Sequence, residues 1–188
     1  MTLVNRMMEL AGQWAAESDN TVSITQPLAW LRRTSSYIAI NRMIGLAIPF
    51  TRRNGFWLEA LSPGYVRASI ALRGNRNHFG SLYAGAFFLV AEIPGGVMTL
   101  FDLGPEYIPI LKEMTLKYHQ PARSDVTVEF SISASQLAAL REEADRTGKA
   151  AFTLEGQLVD AAGEHVATSV AQYRIRKQGT APVPTGSG

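Results

Sequence analysis

Residues 77–96 read NHFGSLYAGAFFLVAEIPGG. The segment opens as a polar loop and becomes an almost wholly apolar run, Ala84 to Ala91, interrupted by one carboxylate, Glu92. The spacing predicts a helix over 82–98, with Pro94-Gly95-Gly96 marking a kink or a fraying end. A helix that is apolar nearly all round has to be buried. An ionised carboxylate placed among apolar groups is costly, so Glu92 needs a reason to be there.

The flanking sequence says what buries the helix. Before it, FWLEALS (56–62) and YVRASIALR (65–73) are rich in β-formers and are separated by Pro63-Gly64, a hairpin signal. Val66, Ala68, Ile70 and Leu72 alternate with Tyr65, Arg67, Ser69 and Ala71, giving one more apolar face. Residues 74–80, GNRNHFG, form a loop. After the helix, strands are expected over 108–120, 125–133, 150–160 and 164–176, with an amphipathic helix over 135–146 ended by Gly148. The order is two strands, one long apolar helix and four more strands, with no second βαβ unit. An antiparallel sheet wrapped around the helix, an α+β fold, satisfies that order most simply.

The first fifty residues differ in character. Helical spacing is visible over 3–16, Pro27 is placed to open a second helix reading PLAWLRRTSSY, and a third helical run covers 37–48 and stops near Pro49. The domain organisation so read is an N-terminal helical extension over 1–50, one sheet-and-helix domain over 51–177, and a Pro/Gly/Ser-rich tail over 178–188, expected to be mobile.

Composition narrows the function. The 188 residues are 46% hydrophobic and 18% charged, enough apolar material for a sizeable core. A net charge of +2, with arginines scattered in pairs, gives no basic stripe for nucleic acid. There is no cysteine, which removes disulfides, thiolate catalysis and cysteine-ligated metal. The three histidines, His78, His119 and His165, argue against a histidine-rich metal site, and neither a metal nor a cofactor is expected. No secretory signal is evident, and the stretch over 37–50 is broken by Asn41 and Arg42, short of the roughly 20 apolar residues of a membrane span. A soluble, cytoplasmic protein without a membrane span is expected.

The residues of the opening stretch carry a family pattern. Asn77, Gly80, Tyr83, Ala84, Gly85 and Glu92 resemble the signature of hot-dog-fold thioesterases of the phenylacetyl-CoA type, Asn-x-x-Gly-x-x-His-Gly-Gly followed by an acidic residue on the same helix. TLKYHQPA after the helix is similar as well, and the resemblance covers roughly residues 50–177. The overall look is nearest a branch known mainly as thioesterases by inference, including domains fused to acetyltransferases. Tyr83-Ala84 stands where that family has His-Gly, and Leu111 stands where some members carry Ser or Thr.

The resemblance implies a hot-dog fold, an acyl-CoA or related thioester substrate, and a homodimer or homotetramer. It implies Glu92 as base or nucleophile, Asn77 as the group orienting water or the carboxylate, and the amides of Ala84 and Gly85 as an oxyanion hole. Gly80, Tyr83 and Phe88 would border the substrate, and Arg73 and Arg76 would hold the phosphates of coenzyme A.

Elementary chemistry agrees with those roles. The first N–H groups of a helix lack intrahelical partners and carry the positive end of its dipole. They can stabilise a developing oxyanion, and alanine in place of glycine keeps the amide. An apolar setting raises a carboxyl pKa, which suits a base. Glu92 lies eight residues past Ala84, about 12 Å along one helix, so a second subunit has to supply the complementary half.

Blander readings stand beside these. Glu92 could be a buried structural carboxylate paired with an arginine, Asn77 a loop-capping residue, Gly80 and Gly85 turn and close-packing glycines, and His78 a solvated loop residue. Two other functions fit the same residues. One is a non-catalytic acyl-CoA or lipid-binding protein. The other is a 3-hydroxyacyl thioester dehydratase using His78 and Glu92, fourteen residues apart. The latter family shows His-Phe-Pro and a Pro-Gly before the helix, whereas Gly80 follows His78-Phe79 here and no proline occurs between His78 and Pro94.

Overall fold

The computed structural model describes residues 27–179, with side chains from residue 37. The helix expected over 3–16 and nearly all of the tail lie outside the described residues. The second and third expected helices are one, α1 (Pro27–Ala47). Thr34-Ser35-Ser36 contains neither glycine nor proline, so nothing breaks the backbone hydrogen-bond ladder there. Pro49 disfavours helical geometry at the residue before it. Ile48 accordingly takes φ −129° and ψ 83°, and a short helix α2 (Pro49–Arg53) follows at an angle.

Strands β1 (Phe56–Ser62) and β2 (Tyr65–Ile70) form the expected hairpin. The central helix α3 spans Ala84–Leu103. Then come β3 (Tyr107–Tyr118), β4 (Val126–Ser131), α4 (Ala134–Thr147), β5 (Lys149–Asp160) and β6 (His165–Lys177). The six strands make one sheet in the order β1-β2-β4-β5-β6-β3, with every neighbouring pair antiparallel. Alternation decides which face meets the helix: Val66, Ala68 and Ile70 on β2, Val128 and Phe130 on β4, and Ala171 and Tyr173 on β6 join Phe87, Val90, Ala91 and Met98 of α3 in the main core. This is the hot-dog arrangement.

The helix runs through Pro94-Gly95-Gly96 and past the expected end at 98, to Leu103. Proline removes one N–H donor from the ladder. Twelve of the twenty residues of α3 are buried, and that packing outweighs one lost bond. By length and composition α3 could cross a membrane, but it is the core helix of this sheet. α4 begins with a capping box between Ser133 and Gln136 and ends at Gly148 in the left-handed conformation. It buries Leu140 and Ala144 in a second small core with Leu103, Tyr107, Ala150 and Ile175.

The two edges of the sheet differ. On β1, the Asn41 side chain of α1 accepts from Leu58 N–H at 2.7 Å and donates to Leu58 C=O at 2.9 Å. One turn earlier, Tyr37 Oη accepts from Leu61 N–H at 3.1 Å and contacts Leu61 C=O at 3.3 Å. The helix thereby occupies an edge that would otherwise invite pairing. On β3, twelve residues long, only β6 is a neighbour among the described residues, and the outer edge is open. Within the sheet, β4 and β5 pair only through Val126–Val128 and Leu158–Asp160. Beyond that seam a depression of about 730 Å³ is lined by Glu129, Ser131, Glu155 and Gln157. By alternation these side chains lie on the face away from α3, so this depression is separate from the site described next.

Candidate active site

The loop before α3 is built by Asn75 and Asn77. Asn75 is buried, and its Nδ2 donates to the carbonyls of Asn54 and Ala71, both at 2.7 Å. Its own carbonyl accepts from Tyr83 N–H at 2.8 Å, which fixes where α3 begins. Asn77 Oδ1 accepts from the N–H groups of Phe79 at 2.9 Å and Ser81 at 3.2 Å, and its Nδ2 donates to Ser81 Oγ at 3.0 Å. Within the subunit, the Asn77 side chain is therefore engaged in its own loop and not with Glu92. Gly80 sits at φ +80°, a conformation that side chains other than glycine adopt only with strain.

Tyr83 is the N-cap of α3 and places no side-chain oxygen over the helix start. Ala86 N–H returns to Tyr83 C=O at 2.9 Å. The N–H groups of Ala84 and Gly85 have no acceptor among the described residues, and both residues are exposed. A Cβ on Gly85 would stand 2.8 Å from Tyr83 Cε1, so the missing side chain is what lets the tyrosine ring lie across this end of the helix. Phe87 is buried, edge-on to Tyr118 at 5.3 Å between ring centroids, and Tyr118 Oη contacts Ala84 C=O at 3.3 Å. Phe88 is exposed on the same turn, and Arg73 and Arg76 are exposed on the loop with no carboxylate in ion-pair reach among the described residues.

Two turns further along α3, Glu92 is half-buried. Burial pushes its carboxyl above the usual carboxylate range, and no other cause contributes. Among the described residues its carboxylate has neither an ion-pair partner nor a hydrogen bond, so the reading of a structural carboxylate paired with an arginine finds no arginine. The helix backbone beneath it is held from the sheet: Tyr173 Oη donates to Glu92 C=O at 2.5 Å. Burial first, and the Glu92 charge second, push the Tyr173 phenol well above its ordinary value, so it stays a donor.

Tyr173 reaches α3 because Gly95 has no side chain. A Cβ there would meet Tyr173 Cζ at 2.4 Å, Oη at 2.5 Å and Cε2 at 2.6 Å. Gly95→Ala gains about 1 kcal/mol of helix propensity but forces a buried ring, stacked on Phe152, to move. Overpacking of that kind costs about 1–3 kcal/mol, and such close approach puts it near the upper end. Thermal unfolding is expected to show a net loss of about 1–2 kcal/mol. Adding Tyr173→Phe should not restore stability, because Cζ and Cε2 remain; adding Tyr173→Leu should restore part of it.

A second carboxylate on α3 gave no signal in the sequence. Asp102 accepts from Gly64 N–H with both oxygens, at 3.1 and 3.2 Å, and so ties the end of α3 to the β1–β2 turn. Desolvation raises its carboxyl to about 6, against the lowering influence of the Gly64 hydrogen bond and Arg141. Its folded value therefore lies above its unfolded one, and the folded state binds the extra proton between about pH 4 and 6. The contribution to stability is complete below that window and falls as pH rises through it. Asp102→Asn keeps an acceptor for Gly64 and removes the titration. It should flatten this part of the stability–pH curve and raise stability at neutral pH by about 1 kcal/mol, after discounting for solvent screening at a half-exposed group. Denaturant melts at pH 4.5, 6 and 7.5, chosen to bracket the window, check both points.

Over residues 38–175 the chain matches the family described as domain of unknown function DUF4442. The chain belongs to that family. A solved Pseudomonas aeruginosa protein, named as a protein of unknown function and a probable thioesterase, is 43% identical, covers 73% of this chain and 93% of its own, and superposes with a TM-score of 0.70. A thioesterase from Haemophilus influenzae shares the fold at 12% identity, covering 77% of this chain and 92% of its own, with a TM-score of 0.61. A thioesterase mutant from Staphylococcus aureus does so at 17% identity, 68% and 98% coverage and a TM-score of 0.55. The DUF4442 chain thus shares the hot-dog fold of solved proteins that are named thioesterases. No curated protein matches it in sequence.

Proposed function

We propose that this DUF4442 protein is an acyl-CoA thioesterase. The observation that carries the reading is a carboxylate that has no partner among the described residues, raised in pKa by burial, on the same helix whose first two amides also find no acceptor among them. The 43% identity to a protein named a probable thioesterase supports it. Thioester hydrolysis needs both kinds of group: donors where negative charge develops on the carbonyl oxygen, and a base or nucleophile beside the carbonyl carbon.

In the proposed reaction the Ala84 and Gly85 amides hold the carbonyl oxygen. Glu92 takes a proton from water as the water oxygen bonds to the carbonyl carbon, or attacks that carbon itself to give a mixed anhydride, which water then hydrolyses to the free acid and the Glu92 carboxylate. Collapse of the tetrahedral intermediate breaks the C–S bond, and the sulfur leaves as a thiol after gaining a proton. Asn77 serves by holding the loop that sets the helix start, and Tyr83 and Phe88 border the acyl group. Arg73 and Arg76 face the phosphates of coenzyme A.

On one helix the amides and Glu92 are about 12 Å apart, too far to act on one thioester. The site is therefore composite, each half from a different copy of the chain. The open outer edge of β3 is the surface over which two copies would join, since the β1 edge is already occupied by α1.

The test is thiol release from acyl-CoA substrates graded from short to long chains, with an arylacyl thioester included. Turnover of any of them supports the enzyme. Binding of acyl-CoA without turnover replaces it with a binding module. Elimination of water from a 3-hydroxyacyl thioester, abolished by His78→Ala, would make it a dehydratase.

A further inference from the structure

The elbow between α1 and α2 exposes five consecutive residues, Leu46 to Phe50, all apolar. Leu46 is 73% exposed, Ile48 41% and Phe50 57%. Scattered apolar residues on a surface need no explanation, but an unbroken exposed run does. This one is held outward by a rigid backbone. Ile48 N–H donates to Ile44 C=O at 2.7 Å, Thr51 Oγ1 donates to Ile48 C=O at 2.7 Å, and Asn54 Nδ2 donates to Phe50 C=O at 2.8 Å. Ile44 and Thr51 are buried on either side and anchor it.

Charge brackets the run. Arg42 stands one turn before Leu46, and Arg52 and Arg53 follow Phe50; all three are exposed. None has a carboxylate in ion-pair reach among the described residues. An apolar wedge flanked by arginines that no described carboxylate neutralises complements a surface that is apolar a few ångströms down and anionic on top, which describes an anionic lipid bilayer. A protein partner of matching shape would have to present an apolar pocket rimmed by acids, whereas the lipid interface supplies both without a fitted shape.

We propose that the α1–α2 elbow is a membrane-surface docking element that inserts Leu46, Ile48 and Phe50 among the lipids of an anionic bilayer while Arg42, Arg52 and Arg53 engage the headgroups. The elbow is braced to the candidate site: Asn54 C=O accepts from Asn75, whose own carbonyl accepts from Tyr83 at the start of α3. Docking there holds the helix start at a fixed attitude to the bilayer, where long-chain acyl thioesters partition. The lipid binding itself stands whether or not the protein hydrolyses them.

Cosedimentation of the full chain with vesicles tests this, comparing phosphatidylcholine alone with a mixture of phosphatidylcholine and phosphatidylglycerol at roughly 3:1. Binding is expected only to the anionic vesicles and should weaken as salt is raised. Leu46→Asp with Phe50→Asp should reduce it at least ~10-fold, and Arg52→Gln with Arg53→Gln by about 5-fold per arginine. Neither variant touches the core, so circular dichroism and turnover of a water-soluble short-chain acyl-CoA should be unchanged. Failure of the parent to bind anionic vesicles overturns the proposal, as does binding insensitive to the aspartates. Equal binding to neutral vesicles overturns the role of the arginines. A change of oligomeric mass in the aspartate variant would instead make the elbow an interface between copies. Absence of turnover of every acyl-CoA tested, short or long, would strike the thioesterase reading and leave the lipid result standing.

Discussion

Glu92→Gln is expected to lower turnover of an acyl-CoA thioester by about 10²–10⁴-fold, the usual cost of losing a positioned general base. The amide is nearly isosteric and cannot accept the proton or form the acyl bond. The parent carboxylate has no ion pair to lose among the described residues, so the substitution should not unfold the protein. Removing a carboxyl whose pKa burial has raised should leave stability at neutral pH equal or higher, because the ionised group is disfavoured where it sits. The expected pattern is thus a collapse in kcat with KM and the melting temperature held. Activity of the parent should fall as the medium is acidified through a pKa above the ordinary carboxylate range, and this limb should vanish from the residual activity of the variant. Parental turnover in Glu92→Gln would end the assignment.

Ala84→Pro is expected to cost about 10²–10³-fold, the typical effect of one lost oxyanion donor. Proline removes the N–H that has no acceptor among the described residues and is tolerated at the first position of a helix. Tyr83 already has φ −70° and ψ 141°, the extended geometry that a residue before proline prefers, so the helix start need not move. The two variants together test the composite site. If amides and carboxylate come from different copies, a hybrid of one Ala84→Pro and one Glu92→Gln subunit has one intact site and one doubly defective site. Random remixing of the two inactive proteins should then restore about a quarter of the parental activity in a two-fold dimer. If both groups act within one subunit, mixing restores nothing. Light scattering of the parent should give at least twice the 20.5 kDa chain mass, and a monomer would remove the geometric basis of the scheme.

The parts of the fold legible in the sequence are those set by local period. Alternation in YVRASI and VTVEFS marks strands, and the unbroken apolar run over 84–91 marks the buried helix. Pro94-Gly95-Gly96 misleads because proline and glycine propensities describe an isolated helix, whereas Gly95 here answers to Tyr173, seventy-eight positions away in the sequence. The helix over Pro27–Ala47 reads as two in the sequence, since Thr34-Ser35-Ser36 resembles a junction without containing a residue that breaks a helix. Glu92 was visible as the one charge in an apolar segment. Asp102 was not, because its partner is a backbone N–H on a distant turn. Asn77 was visible as a residue, but its bonds to Ser81 and Phe79 follow from a loop geometry that a sequence does not display.

The placement of β3 has a further consequence for how the chain is made. Tyr107 pairs with Lys177 and Tyr118 with Ala167, so β3 finds no partner strand until β6 has been synthesised. During that interval the hairpin, β4 and α3 can assemble, but one flank of an apolar helix and both edges of a long strand stay uncovered. Pairings this distant in sequence form slowly, and exposed strand edges seed aggregation. The nascent protein thus passes through its most vulnerable stage late in translation. Production yield should consequently respond to growth temperature and chaperone supply more than the stability of the finished fold would suggest.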